Sequence, residues 1–152
     1  MSRVLIVHHT PSPSVHAMRL AVVEGAGAPE LGGDVEVVTA AALSATAADV
    51  LAADGIVIVT PANLGSMAGA TKHLFDTIYY PCLDETRGLP FGVAVHGNSD
   101  VDGALRDIDR ITTGLGWRQV ADHVRVIDSP DQEARDACWN LGATVAASTL
   151  EG

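Results

Sequence analysis

Apolar positions alternate between strand-like and helix-like segments along the whole chain. Short apolar runs bounded by Gly, Pro or Asp predict strands, and apolar residues that recur every three or four positions predict helices. The predicted strands span residues 3–9, 34–39, 54–60, 91–96 and 120–127. The predicted helices span 14–26, 46–53, 67–78, 99–115 and 129–149, with a polar, irregular connection at 81–88.

Two of these helices carry capping signals in the sequence. Ser99 and Asp102 resemble a capping box at the start of the fourth helix. Ser129 stands before Pro130, with Gln132 three residues after the cap, at the start of the last helix.

The alternation of strands and helices predicts an α/β fold with a parallel sheet and right-handed crossovers. No linker, repeat or low-complexity run divides the sequence, so we expect residues 1–152 to form a single domain. The doubly wound, five-stranded order 2-1-3-4-5 fits best, with the half-polar second strand at an edge. Strands one and three are then neighbours at a topological switch point, where ligands bind beyond the carboxyl ends of the strands.

Composition excludes several classes of partner. The chain has 19 Asp and Glu against 9 Lys and Arg, a net charge of −10, and this field repels nucleic acid and anionic membranes. No apolar run approaches the ~20 residues of a membrane span and no signal peptide is visible, which predicts a cytoplasmic protein. Cys82 and Cys138 lack the spacing of metal ligands or of a redox pair. We therefore expect buried cysteines and no metal site.

Two loops at that switch point carry candidate chemistry. The first strand leads into hydroxyls at Thr10, Ser12 and Ser14, just before the first helix. A helix N-terminus suits a phosphate dianion, because unpaired N–H groups and the helix dipole point at it; an ordinary capped turn is the alternative. The third strand opens into residues 60–67, whose Gly- and Pro-containing backbone can lie against a flat ring. A phosphorylated aromatic cofactor fits both loops, and FMN is the first candidate.

Other nucleotide-binding motifs are absent from the sequence. There is no GxxxxGK[S/T] run, and residues 25–27 (Gly-Ala-Gly) follow a helix rather than a strand, so they are not a dinucleotide fingerprint. A phospho-accepting receiver domain shares the predicted topology. It needs acidic residues where this chain has His8, His9 and Thr60, so that class is excluded.

The two loops also resemble those of a known family. The first is similar to the phosphate loop of flavodoxin-like proteins, whose pattern is Thr/Ser-x-Thr/Ser-Gly-x-Thr. Residues 54–61 and 65–69, followed by Lys72 and residues 74–76, resemble the corresponding stretch of NAD(P)H-dependent FMN reductases and related flavodoxin-like quinone reductases. The second resemblance is the more specific one. The strand pattern extends it over essentially the whole chain.

The resemblance implies a flavodoxin-like fold and a set of residues around FMN. The residues that would hold the phosphate are Thr10, Ser12, Pro13, Ser14 and Val15. The residues that would line the isoalloxazine ring are Pro61, Ala62, Asn63, Leu64, Gly65, Ser66 and Met67. A third loop would meet the pyrimidine edge or the open face of the ring, and it comprises His96, Gly97, Asn98 and Ser99.

The chain departs from the family pattern at two places. Pro13 stands where the family commonly has Gly, which removes one backbone donor from the phosphate loop. Flavodoxin electron carriers usually hold the ring between aromatic side chains, whereas this chain has Leu64 and His96 in the flanking loops. An open ring face suits a second substrate. His96 is the candidate catalytic residue, as a donor that stabilises negative charge near the flavin carbonyl or a quinone oxygen; a structural histidine is the alternative.

The expected function is that of an FMN-binding flavoprotein oxidoreductase. It would pass reducing equivalents from NAD(P)H to a quinone, a flavin or a similar small-molecule acceptor. One alternative is a flavodoxin-type electron carrier that docks on a redox protein, for which the net charge of −10 is suitable. The other is a flavin-free interaction module in which Pro13 prevents phosphate binding. The resemblance also implies a possible homo-oligomer, because small flavin reductases often place their site at a dimer interface.

Overall fold

Parallel pairing of apolar strands organises residues 1–151, the part of the chain that the computed structural model describes. The strands are β1 (Ser2–His8), β2 (Val35–Ala41), β3 (Gly55–Asn63), β4 (Ser66–Met67), β5 (Pro90–Gly97), β6 (Arg118–Gln119) and β7 (Val124–Ile127). The helices are α1 (Pro13–Ala26), α2 (Ala47–Leu51), α3 (Gly69–Cys82), α4 (Asp102–Leu115) and α5 (Gln132–Ser148), and a single 3-10 turn lies at Pro29–Leu31.

The sheet has the predicted strand order. β2, β1, β3 and β5 are parallel neighbours in that order, and both β6 and β7 pair in parallel with β5. β6 and β7 together therefore occupy the fifth position, which confirms the flavodoxin-like order 2-1-3-4-5. β4 is the exception, since it pairs antiparallel with β3. β2 forms one edge, and its residues alternate between partial burial and exposure, as its half-polar sequence predicts.

Helices cover both faces of the sheet. α1 and α5 bury one face with side chains such as Val15, Met18 and Leu141, while α2, α3 and α4 bury the other. α1 and α5 approach closely because each carries a glycine at the crossing: a Cβ at Gly25 would overlap the Trp139 carbonyl oxygen. This contact fixes the position of α1, whose N-terminus faces the carboxyl edge of the sheet.

The prediction is wrong for the first half of the fifth strand, because β7 begins only at Val124. The Val120 N–H still donates to Phe91 O of β5 at 3.1 Å, and residues 121–123 then leave the sheet before β7. The cause is His123, whose ring is buried against Phe91 with a centroid distance of 6.3 Å. Its Nε2 lies 2.8 Å from the Asp109 Oδ1 atom of α4. Packing and this hydrogen bond turn the histidine inward, and strand pairing resumes at Val124.

Neither predicted cap forms: α4 has no side-chain cap, and the cap of α5 lies two residues after Ser129. α4 begins at Asp102 without a side-chain cap, and its carboxylate contacts Arg125 Nε at 3.1 Å instead of closing a capping box with Ser99. α5 is capped by Asp131, whose Oδ1 accepts the Ala134 N–H at 2.8 Å. Ser129 and Pro130 therefore lie outside the helix, because a carboxylate nearer the first turn takes the capping role.

α3 extends into the connection that the sequence predicts to be irregular. Pro81 lies in its last turn, which is anchored by the fully buried Cys82 and closed by a hydrogen bond from Leu83 N to Tyr79 O at 2.9 Å. Cys138 is buried as well, as expected, and burial raises the pKa of its thiol to about 11. Among residues 1–151, no helix combines the length and the apolar character needed to cross a bilayer.

Candidate functional site

Three strands end side by side at the carboxyl edge of the sheet. His8 at the end of β1 pairs with Val59 of β3, and Pro61 of β3 pairs with His96 of β5. The His9 N–H also donates to Val59 O at 3.0 Å, which holds the start of the first loop against β3. The three segments that the sequence predicts as one site therefore leave the sheet next to one another.

The first loop ends in a capped helix N-terminus. Ser12 is the N-cap of α1, and its Oγ accepts the Val15 N–H at 3.3 Å. Pro13 occupies the first helical position, where an N–H would have no helical partner in any case, so it orders the loop at the cost of one donor. The Thr10, Ser12 and Ser14 N–H groups make no hydrogen bond within residues 1–151. These groups are available to an anion.

Arg19 belongs to this loop in space, although it lies in the second turn of α1. Helical side chains point towards the N-terminus, and the Arg19 guanidinium reaches His8 Nε2 at 3.2 Å and His16 Nδ1 at 3.1 Å. An arginine is always protonated and only donates, so both imidazole nitrogens accept. His8 therefore carries its proton on Nδ1 and donates it to Thr10 Oγ1 at 2.8 Å.

These donor and acceptor assignments determine which hydrogen bond the Thr10 hydroxyl can still make. Because its oxygen accepts from His8, the proton of the Thr10 hydroxyl is left for a further acceptor. Burial, then the charge of Arg19, then His9 lower the pKa of His8 below its usual value, which agrees with a neutral ring. The sequence prediction did not include Arg19. The three-residue spacing between His16 and Arg19 on one helix was the available signal.

The second loop is a β-hairpin rather than an irregular segment. β3 continues past Thr60 to Asn63 and returns as β4, with Ala62 paired to Met67. Leu64 and Gly65 form the two-residue turn with φ of 51° and 76°, the positive values that a type I′ turn requires. Leu64 is fully exposed at the tip. A bulky residue with positive φ is uncommon and strained, and such strain is concentrated at functional sites.

Two sets of contacts hold this hairpin in place. At its tip, the Gly65 carbonyl oxygen packs against Gly103 of α4, where a Cβ would overlap it, and the Met67 N–H donates to Asp107 Oδ2 at 3.0 Å. The Gly65 carbonyl therefore faces α4. Gly103 was not predicted to matter, because its only signal is the absence of a side chain.

At the base of the hairpin, two buried hydroxyls tie β3 to α3. The Thr60 hydroxyl donates to Pro61 O at 2.9 Å, so it must accept from the Thr71 hydroxyl at 2.7 Å. Both threonines are almost completely buried. The two hydrogen bonds fix the point at which the chain leaves the sheet, and every buried hydroxyl proton in them has a partner.

The third segment lies partly within the sheet. His96 and Gly97 are the last residues of β5, and only Asn98 and Ser99 belong to the exposed loop. His96 Nε2 lies 2.8 Å from Asp128 O. A carbonyl oxygen only accepts, so Nε2 carries the proton, and a neutral His96 presents Nδ1 as an acceptor.

These residues fit FMN by the chemistry of their donors. Unpaired N–H groups and hydroxyls converge at the N-terminus of α1 without any carboxylate, which matches a phosphate. The exposed hairpin tip lies next along the same edge of the sheet. Among residues 1–151, no group of three His, Cys, Asp or Glu side chains is arranged to hold a metal ion.

Comparison with known proteins identifies the family. Residues 14–146 match the family model described as NADPH-dependent FMN reductase. The chain belongs to this family. A search of curated proteins finds no match to the sequence.

Solved structures agree with the fold of this FMN reductase family member. A flavodoxin from Streptococcus pneumoniae TIGR4 has a TM-score of 0.80 at 20% identity, covering 97% of this chain and 99% of its own. A WrbA-like flavodoxin from Agrobacterium tumefaciens has a TM-score of 0.79 at 21% identity, covering 99% of this chain and 98% of its own. A flavodoxin from the domain Archaea has a TM-score of 0.80 at 17% identity, covering 98% of this chain and 99% of its own. At these identities the likeness establishes the fold alone.

Replacing Leu64 separates backbone strain from ligand contact. Asn tolerates positive φ, and the exposed Leu64 side chain has no packing to lose, so we expect Leu64→Asn to raise the free energy of unfolding by about 0.5–1 kcal/mol. If Leu64 lines the ring, as the resemblance implies, the same variant is expected to bind FMN more weakly, because it would lack that apolar contact. Urea unfolding and fluorescence titration with FMN measure the two effects. Leu20→Gln, at an exposed position on α1, is the control, and unchanged FMN affinity in Leu64→Asn would remove this side chain from the site.

The lowered pKa of His8 predicts a pH dependence of stability. Below about pH 6.5 the unfolded chain takes up a proton on His8 that the folded chain resists, so unfolding becomes easier as the pH falls towards the lowered folded pKa. Above this window the group contributes no pH dependence. Urea unfolding between pH 5 and 8 should show a smaller loss of stability at low pH in His8→Asn than in the wild type. The exposed His73→Asn is the matched control, and equal slopes in wild type and His8→Asn would contradict the assignment.

Proposed function

We propose that this protein binds FMN and passes reducing equivalents from NAD(P)H to a quinone, a flavin or a similar small acceptor. The observation that carries the proposal is the N-terminus of α1. It presents the unpaired Thr10, Ser12 and Ser14 N–H groups, and the loop that carries them leaves β1 beside β3, the strand that continues into the β3–β4 hairpin. Membership of the FMN reductase family supports FMN as the cofactor, and the family description supports NADPH as the electron donor.

The phosphate would be held by the first loop without a charged side chain in direct contact. The N–H groups of Ser12 and Ser14 and the hydroxyl protons of Thr10 and Ser12 are the donors. Pro13 sets the helical start, and the Val15 N–H is already used by the Ser12 cap. Hydrogen bonds and the dipole of α1 therefore supply the attraction, and Arg19 acts on the loop only through His8.

The ring would lie between the hairpin and the end of β5. When bound, FMN supplies the hydride and electron chemistry, while the chain binds and orients it. Leu64 at the hairpin tip is the apolar side chain offered to the ring, and no Phe, Tyr or Trp occurs at residues 60–67 or 96–99. A ring covered in this way keeps one face accessible to a second substrate. This feature favours a reductase over an electron carrier.

His96 is the proposed catalytic residue, and its hydrogen bond to Asp128 O determines which ring nitrogen can face the flavin or the acceptor. Its Nε2–H is engaged by Asp128 O, so a neutral ring accepts a hydrogen bond through Nδ1. To stabilise negative charge on a flavin carbonyl or quinone oxygen, His96 has to be protonated at Nδ1 as well. The proposal therefore predicts His96 to act as an imidazolium in that step.

The proposed function also bears on the partner, the oligomeric state and the cellular location of the protein. The proposed partner is a small-molecule acceptor rather than nucleic acid, which the net charge of −10 repels. A homo-oligomer would cover the open side of the ring with a second copy of the chain. The proposed location is the cytoplasm, because a nicotinamide-dependent reductase needs a supply of reduced nucleotide.

Anaerobic mixing of the FMN-saturated protein with NADPH or NADH tests the reductase function. Direct loss of the flavin absorbance is expected, followed by recovery on addition of a quinone. If the flavin is reduced only when a separate reductase is added, the protein is an electron carrier. A colourless protein after saturation with FMN and gel filtration would identify the flavin-free module instead.

A charge placed at the N-cap tests the phosphate loop. Asp is as good an N-cap as Ser, so Ser12→Asp should keep α1 and the overall stability intact. Its carboxylate would repel the phosphate, and we expect FMN affinity to fall about ten- to hundredfold. Riboflavin, which lacks the phosphate, is the matched control ligand and should bind wild type and variant equally. Equal FMN affinity in wild type and Ser12→Asp would remove the first loop from the site.

A further inference from the structure

A cavity lies between the first loop, the first two turns of α1 and residues 41–43 at the end of β2. Its volume is about 430 Å³, and it is open to solvent. Thr10 of the first loop also lines it, whereas Ser12 and Ser14 at the start of α1 do not. One wall carries His8, His9, His16 and Arg19, and the other is the backbone and apolar side chains of residues 41–43.

The charge of this cavity is opposite to that of the protein. The chain has a net charge of −10, yet no Asp or Glu lines the cavity. Arg19 makes no salt bridge within residues 1–151, and its guanidinium is held by two imidazoles instead of a carboxylate. An arginine without a counter-ion on an acidic protein leaves a positive potential at this place. This local potential disfavours a cationic ligand.

The remaining hydrogen-bonding capacity of the cluster consists of donors. Arg19 uses one N–H for His8 and one for His16, which leaves three of its five donors. His16 accepts at Nδ1, so its neutral ring carries a proton on Nε2. Several donors around one space, with no carboxylate among them, are complementary to an oxyanion with several acceptor oxygens. A phosphoryl group meets this requirement.

We propose that this cavity binds a second phosphoryl group, separate from the FMN phosphate. The guanidinium of Arg19 is the main ligand and His16 Nε2–H a second donor, while residues 41–43 contact the rest of the bound molecule. Leu43 is 61% exposed there and offers an apolar surface to a sugar or a base. The inference rests on the proposed function only in assigning the neighbouring loop to FMN.

Two kinds of molecule bring such a phosphoryl group, namely a nucleotide and an inorganic polyphosphate. An adenine dinucleotide brings a diphosphate and, in NADP⁺, a 2′-phosphate as well. Inorganic pyrophosphate brings the anion alone. The lowered pKa of His8 adds a measurable consequence, since an anion bound beside Arg19 offsets the positive charge that His8 experiences.

Calorimetric titration of FMN-saturated protein with inorganic pyrophosphate tests the inference. Wild type is expected to bind it, and Arg19→Gln is expected to weaken binding at least tenfold. Arg106→Gln removes an exposed arginine from α4 and should change the affinity less than twofold. Flavin absorbance confirms that the first loop stays occupied in each sample. In wild type, the pKa of His8 measured by NMR should rise when pyrophosphate is added.

Two results would overturn the inference. One is equal pyrophosphate affinity in wild type and Arg19→Gln; the other is loss of pyrophosphate binding on saturation with FMN, which would make the cluster part of the flavin phosphate site. His16→Asn provides the same comparison if Arg19→Gln fails to fold, with a weaker but measurable loss expected. Failure of FMN binding with intact pyrophosphate binding would refute the proposed function and leave this inference standing.

Titration with NADP⁺ and NAD⁺ separates the two sources. Tighter binding of NADP⁺ than of NAD⁺, lost in Arg19→Gln, assigns the cavity to the 2′-phosphate of a nucleotide. Equal binding of both, reduced in Arg19→Gln, assigns it to the diphosphate. If only pyrophosphate depends on Arg19, the source is inorganic.

Discussion

The parallel register of β1, β3 and β5 is the constraint on which the candidate site depends. His8 lies beside Val59, and Pro61 lies beside His96, so three loops leave the sheet at one edge. A slip of one residue would turn every side chain of a strand to the opposite face. Because these strands are buried on both faces, hydrophobic burial holds the register that the site needs.

Around this edge, the site is built from hydrogen bonds with a fixed direction. Arg19 can only donate, which makes His8 an acceptor on one nitrogen and a donor on the other, and leaves the Thr10 proton free. Asp128 O can only accept, which places the His96 proton on Nε2. In both cases one group with a single possible role determines the state of the next. The tautomers of the neutral His8 and His96 rings therefore follow from the groups around them.

The sequence predicted the parts of this molecule that depend on local pattern. The apolar runs of β1, β3 and β5 identified the central strands, and the hydroxyls from Thr10 to Ser14 identified the start of α1. Contacts between distant residues were not predictable in the same way. The break before Val124 results from His123 packing on Phe91, and the hairpin depends on Gly103 of α4, forty residues away in the chain from Asn63. The periodicity of apolar residues along the sequence does not predict contacts between such distant residues.

In the β3–β4 hairpin, the backbone conformation differs from the one that the local sequence favours. A turn of Leu64 and Gly65 with two positive φ angles is not what a leucine favours, and contacts from α4 to Gly65 and Met67 oppose its relaxation. An exposed leucine held in that conformation gains nothing from the fold itself. Its position at the tip of a hairpin on the same edge of the sheet as the loops after β1 and β5 makes it available to a ligand. Under the proposed function, contact of this side chain with the ring would offset the cost of the turn, independently of the phosphate loop.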